Sequence, residues 1–222
     1  MKTRGALAIA MALVCGCANS HSPPIATYYM AGTFDLSDTI GYQTLRRWDF
    51  KATTPPNGGN GMPEAVAAAL VGAVTVAPGS QFAVIPLESD SALFEATALN
   101  LHFHAIMDRT KSWWRSELDS ISTADVLAHE QIHFAIFELE ARSLNARISE
   151  IAIRIRSTGR TMDDARRTAS ARLDEELQVS SEKLSRRQDE FERDTSNGMD
   201  RSRQREWRGR IDAELAATAS GH

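Results

Sequence analysis

From Ser120 to Thr158 the chain runs without a proline or a glycine, and inside that run sits His129-Glu130-Gln131-Ile132-His133. Leu127, Ile132, Ile136, Leu139, Leu144, Ile148, Ile151 and Ile155 recur there at spacings of three to five. That period belongs to an amphipathic helix. Ser122 with Asp125 makes a variant capping box at its start, and Gly159 reads as its C-terminal cap. Thr161 then caps a second long helix through Ala165, Ala169, Leu173, Leu177, Leu184 and Phe191, stopped by Ser196-Asn197-Gly198. A third helix follows through Trp207, Ile211 and Leu215. Two long helices joined by a tight turn predict an antiparallel α-hairpin.

The H-E-x-x-H spacing gives this helix its chemistry. Residues four apart stack on one helix face, so His129 and His133 can grip one metal ion. Glu130 then has its carboxylate near the water such an ion would hold. This is the arrangement of zinc peptidases, with Zn2+ as cofactor and Glu130 as the catalytic base. Both cysteines, Cys15 and Cys17, lie at the N-terminus. The remainder therefore has no thiol chemistry, which excludes a Cys-His protease or a Cys-ligated zinc finger. The formal net charge of −4 argues against a nucleic-acid partner.

The first residues read as an export signal. Lys2 and Arg4 form a positive region, and Gly5 to Val14 is an apolar stretch too short to span a bilayer. Val14-Cys15-Gly16-Cys17 resembles a bacterial lipobox. The expectation is a signal at residues 1–16, a lipid on Cys17 and a tether over 17–24. Ala18 after the cysteine points to the outer membrane, with the protein facing the periplasm and touching the membrane only through its anchor. One domain is expected over 25–222, β-rich over 25–120 and helical over 121–222.

In the β-rich half, Ala26 to Met30, Leu45 to Ala52 and Gln81 to Pro86 read as strands, Thr53 to Pro63 as a loop, and Pro63 to Val71 as a short helix. Over Leu93 to Met107, Leu99, Leu101 and Phe103 alternate with Asn100, His102 and His104. That predicts one half-buried strand with both histidines on its polar side. They are a second metal site or imidazoles lining a substrate groove beside the helix, or else an ordinary polar sheet face. Zinc peptidases commonly bind substrate as an added strand beside the H-E-x-x-H helix, and this strand is placed for that. Trp113 and Trp114 read as core anchors under the helix.

Three blocks together resemble a bacterial family of predicted secreted zinc-dependent proteases. They are Lys111-Ser112-Trp113, then Leu127-Ala128-His129-Glu130-Gln131-Ile132-His133-Phe134, and third Phe191-Glu192-Arg193-Asp194-Thr195-Ser196-Asn197-Gly198 with Gln204 and Trp207. The family's third block is Y-D-x-x-T-x-H-G followed by Q-x-x-W. Its Tyr, Asp and His are Phe191, Glu192 and Asn197 here. The resemblance implies an α+β, zincin-like fold, with a small β-rich part packed on the hairpin and third helix. It also implies hydrolysis of peptide bonds, and together with the export signal the expected substrate is a peptide or an envelope protein. Catalytic zinc usually keeps three protein ligands and one open position. In a hairpin turning near Gly159, residue 129 lies level with about residue 190 and residue 133 with about residue 186. Asn197, Asp194 and Glu190 are then equal candidates for the third ligand. If Asn197 is a degraded ligand, the alternative is an impaired enzyme acting as an envelope scaffold through its hairpin. A purely structural coiled-coil lipoprotein is the third possibility, and the motif disfavours it.

Overall fold

A computed structural model describes residues 26–29, 36–55, 67–116 and 120–219. The expected signal, Cys17, the tether and most of the Thr53–Pro63 loop lie outside these residues. In chain order the strands of the first half are β1 (Ala26–Tyr29), β2 (Thr39–Gly41), β3 (Ala68–Ala69), β4 (Gly72–Val76), β5 (Gln81–Leu87), β6 (Asp90–Leu99), β7 (Phe103–Asp108) and β8 (Trp113–Trp114). Then come helices α1 (Ser120–Ala146) and α2 (Ile148–Ile155), strand β9 (Ser157–Gly159), and helices α3 (Met162–Asp194) and α4 (Arg201–Ala219). The fold is mixed α+β, with small antiparallel sheets and a long helical C-terminal part. No helix among the described residues is long and apolar enough to cross a membrane.

The chain forms two compact units, and they do not divide at residue 120. The first takes residues 26–29, 76–103 and 144–179. Its sheet has the order β1-β5-β6-β9. Phe82, Val84, Ala96, Ile151, Ile155, Ala165 and Ala169 are buried there. The expected uninterrupted helix to Gly159 is broken in this unit. The Arg147 N–H bonds to the Leu144 carbonyl at 3.0 Å, a tightened turn, and Arg147 takes φ −110° and ψ 21°. After α2 the chain becomes extended, and Gly159 pairs with Phe94 at the edge of β6 instead of capping a helix. The cause is tertiary: β6 has an open edge, and Ser157 is buried there with its Oγ donating to the Ala165 carbonyl. Thr161 does cap α3, its Oγ1 accepting the Asp164 N–H at 3.1 Å.

The predicted strand over Leu93 to Met107 is two strands in separate sheets. Asn100 sits between them at φ +51°, a left-handed conformation that ends β6. His102 therefore precedes β7, its backbone bonded to Ser80 Oγ and Ala77 N–H. Leu99, expected on the apolar face, is exposed.

The second unit holds residues 36–55, 67–75, 104–116, 120–143 and 180–219. β7 is the middle strand of the order β2-β7-β4. Ala105, Ile106 and Met107 on it are all buried, so it is covered on both faces and is no alternating polar edge. Arg47–Asp49 forms a 3-10 turn where a strand was expected, because the Asp49 carboxylate accepts the Arg46 N–H at 2.8 Å. Ala68–Ala69 is strand β3, not the end of a helix.

The part of α1 in this unit is apolar on two sides. Phe134, Ala141, Val126, Leu127 and Phe137 join a core with Leu45, Phe50, Ala105, Met107 and Trp114. Ile132, Ala135, Ile136 and Leu139 join another with Leu184, Phe191, Trp207 and Ile211. A helix apolar on both sides belongs inside a domain. Each fully buried Ile, Leu or Phe contributes about 1.5–3 kcal/mol. Trp114 is a core anchor as the sequence suggests, packed edge-on to Phe50 at 5.3 Å.

Candidate metal centre

The H-E-x-x-H residues stand at the middle of α1, between the two cores. Gln131, the first of the motif's two variable positions, faces a different way from the histidines and fixes the neighbouring chain. Its Oε1 accepts the Leu45 N–H at 2.7 Å and its Nε2 donates to the Gln43 carbonyl at 3.1 Å. This clamp satisfies the buried Leu45 N–H and ties down the Gln43 backbone beside it.

His129 and His133 turn their Nε2 atoms toward each other, 3.0 Å apart. Glu192 of α3 completes a triangle: its Oε1 lies 3.3 Å from His129 Nε2 and 2.8 Å from His133 Nε2. Ligand atoms sharing a four-coordinate zinc at about 2 Å lie about 3.3 Å apart, so the three side chains have the spacing of a metal-ligand set. They form a His, His, Glu group able to hold a metal ion.

The chemistry of the donors leads to the same conclusion. Two imidazole nitrogens and a carboxylate oxygen converge, and a proton or a metal cation between them relieves the repulsion of their lone pairs. The electrostatics show how strongly positive charge is drawn in. Burial by itself disfavours protonated His133, yet the Glu192 hydrogen bond and the Glu130 charge outweigh it and raise its pKa. Burial would raise Glu192, yet its contacts with His129 and His133 hold the carboxyl far below its usual range. Glu192 Oε2 is buried with no hydrogen-bond partner among the described residues.

Phe191 fixes the two rings. It stacks on His129 at 4.6 Å and meets His133 edge-on at 4.8 Å, while Trp207 packs behind it at 5.3 Å. Thr195 is fully buried, and its Oγ1 bonds to the Phe191 carbonyl and the Gly198 N–H. The resulting turn places Gly198 at φ +80° against the His129 ring. Trp207 Nε1 donates to Asp194 Oδ2, and Gln204 Nε2 donates to the Asp125 carbonyl of α1. The third sequence block is thus the set of residues that builds the back of the site.

Beside the cluster opens a cavity of about 340 Å³, lined by Ala67, Ala68, Asp125 and Val126 with His129, Glu130 and Glu192, and by Asn197, Gly198 and Met199. Glu130 is 5% exposed. Burial raises its pKa, only partly offset by His133 and His129 and by a hydrogen bond from the Leu70 backbone.

Of the residues read from sequence, His129, Glu130 and His133 come together as expected. The third position differs. Asp194 is taken up by Trp207, Glu190 is exposed, and Asn197 lines the cavity at φ +54° without joining the cluster. Glu192 stands there instead. It is two residues from both Glu190 and Asp194, which on a helix puts it about 200° around the axis from either. The signal was present: Leu184 and Phe191 mark the inward face of α3, and Glu192 adjoins Phe191. His102 and His104 do not line the cavity; Ala67 and Ala68 do. No protein family, curated protein or solved structure matches the chain.

Proposed function

We propose that the chain is a zinc-dependent, zincin-like peptidase of the bacterial cell envelope, akin to the secreted zinc-dependent proteases it resembles. The observation that carries this reading is Glu192 Oε1 within 3.3 Å of both imidazole Nε2 atoms, beside the cavity that Glu130 lines. His129, His133 and Glu192 hold the ion. Zinc bound there supplies Lewis acidity, polarising a carbonyl and easing deprotonation of a water.

The chain's own residues carry the proton. Glu130 takes one from the attacking water as its oxygen bonds to the scissile carbonyl carbon. It passes that proton to the amine as the C–N bond breaks. Burial raises its pKa, which makes the carboxylate a stronger base than an exposed one. Ala67, Ala68, Val126 and Met199 give the cavity an apolar wall that limits water. Glu192 stands where the resembling family has Asp, so a carboxylate is kept at that position. The case for an impaired scaffold rested on Asn197 as a lost ligand. Glu192 beside both imidazoles supports the active reading over that alternative.

The test is metal binding and hydrolysis by the full chain and by Glu130→Gln. The wild type should bind one zinc and cleave unstructured peptides. Glu130→Gln should keep the zinc and lose activity about 10²–10⁴-fold, because an amide cannot accept the proton. Undiminished cleavage by Glu130→Gln, or a wild type that binds no zinc, would defeat the proposal. We further propose anchoring through a lipid on Cys17 at the outer membrane. Cys17→Ser should leave the membrane fraction, and its recovery there with lipid attached would exclude Cys17 as the anchor.

A further inference from the structure

Gln188 lies one helical turn before Glu192, so α3 turns both side chains toward the same face of α1. Its amide meets His133 twice. Nε2 donates to the His133 backbone carbonyl at 3.1 Å, and Oε1 sits 2.5 Å from His133 Nδ1. A carbonyl only accepts, so the nitrogen end of the amide belongs at the carbonyl and the oxygen end at the ring. An amide oxygen also only accepts, so His133 Nδ1 carries a proton. In the neutral ring the lone pair then sits on Nε2, the atom that meets His129 Nε2 and Glu192 Oε1.

We propose that Gln188 is the positioning residue of this centre, locking His133 in the Nδ1–H tautomer so that Nε2 is presented as a ligand. The inference rests on the zinc reading above. His129 has no equivalent: its Nδ1 has no hydrogen-bond partner among the described residues, and its ring is held by Phe191 and Gly198. Among the described residues, hydrogen-bond control of imidazole orientation therefore falls on Gln188. Its neutrality has a reason. Glu130 and Glu192 already balance a divalent ion at this buried site, and an amide orients the ring without adding a third negative charge.

Two variants separate orientation from packing. Gln188→Met keeps the volume and removes both hydrogen bonds. Gln188→Glu keeps an acceptor for Nδ1 and removes the donor to the His133 carbonyl. Zinc affinity of the full chain would be measured by competition with a chelating dye, with cobalt(II) absorption as a readout of ligand geometry. Gln188→Met should lose about 10–100-fold in zinc affinity and change the cobalt spectrum. Gln188→Glu should stay within about threefold of wild type or bind more tightly, because outer-shell carboxylates raise ligand basicity. Both should melt lower than wild type, each having lost the half-buried hydrogen bond to the His133 carbonyl. Wild-type affinity in Gln188→Met, or equal losses in both variants, would make Gln188 a packing residue and overturn the inference. A wild type that binds no zinc would overturn the metal centre itself, an outcome seen before any variant is compared.

Discussion

Replacing Gly198 with Ala tests the site through one methyl group. A Cβ there would meet His129 Nδ1 at 2.9 Å and His129 Cε1 and Cγ at 3.3 Å. Ordinary contact begins at 3.4 Å, so the ring must retreat about 0.5 Å. It has little room, since it stacks at 4.6 Å on fully buried Phe191. Metal–ligand bonds tolerate about 0.2 Å. Zinc affinity should therefore fall at least about tenfold, into the range seen when ligand orientation is disturbed. The backbone adds a separate cost. At φ +80° an alanine is disfavoured by about 1–2 kcal/mol. In a chain this long each kcal/mol moves the melting temperature by about 2–4 °C, so metal-free Gly198→Ala should melt about 2–8 °C lower. Gly79→Ala is the control, because Gly79 has φ +96° and nothing within 4 Å of its Cβ position. It should melt lower too, yet bind zinc as wild type does. Calorimetry of the metal-free protein and zinc competition titrations measure both effects. Equal zinc affinity in Gly198→Ala and Gly79→Ala would refute the reasoning, because the methyl would then not press on a ligand.

Glu192→Gln should weaken zinc by more than about tenfold, whereas Asn197→Gly, which relieves a positive φ, should leave affinity unchanged. The reverse ranking in a zinc titration would restore Asn197 as the ligand. Asp108 supplies a pH prediction. Burial would raise its pKa, but hydrogen bonds from Lys111 and Thr110 outweigh that and hold it below the usual carboxylate range. A depressed pKa gives stability that is complete above the unfolded value of about 3.9 and is lost as pH falls from there toward the folded value. Asp108→Asn should therefore lose less melting temperature than wild type between about pH 5 and pH 3; parallel melting curves would show that Asp108 contributes nothing on the acid side.

Local sequence determined what depends on residues three or four apart. The H-E-x-x-H pair faces one way because residues i and i+4 on a helix must, and no proline or glycine interrupts that helix around the motif. Thr161 as a cap, Gly198 as a stop and Trp114 as an anchor follow from side-chain chemistry of the same short range. Tertiary structure decided what depends on register between distant segments. Crossing from α1 to α3, an error of two residues shifts a position by 3 Å and rotates it by about 200°. Asp189, Glu190, Glu192 and Asp194 are alike in sequence, and the packing of Phe191 against both imidazoles selects Glu192. The same limit hid the break at Arg147. Ile148, Ile151 and Ile155 continue the helical period, so nothing local marks it. The chain leaves the helix after Ile155 because the open edge of β6 offers Ser157–Gly159 a ladder of backbone hydrogen bonds, and that edge lies some sixty residues away in sequence.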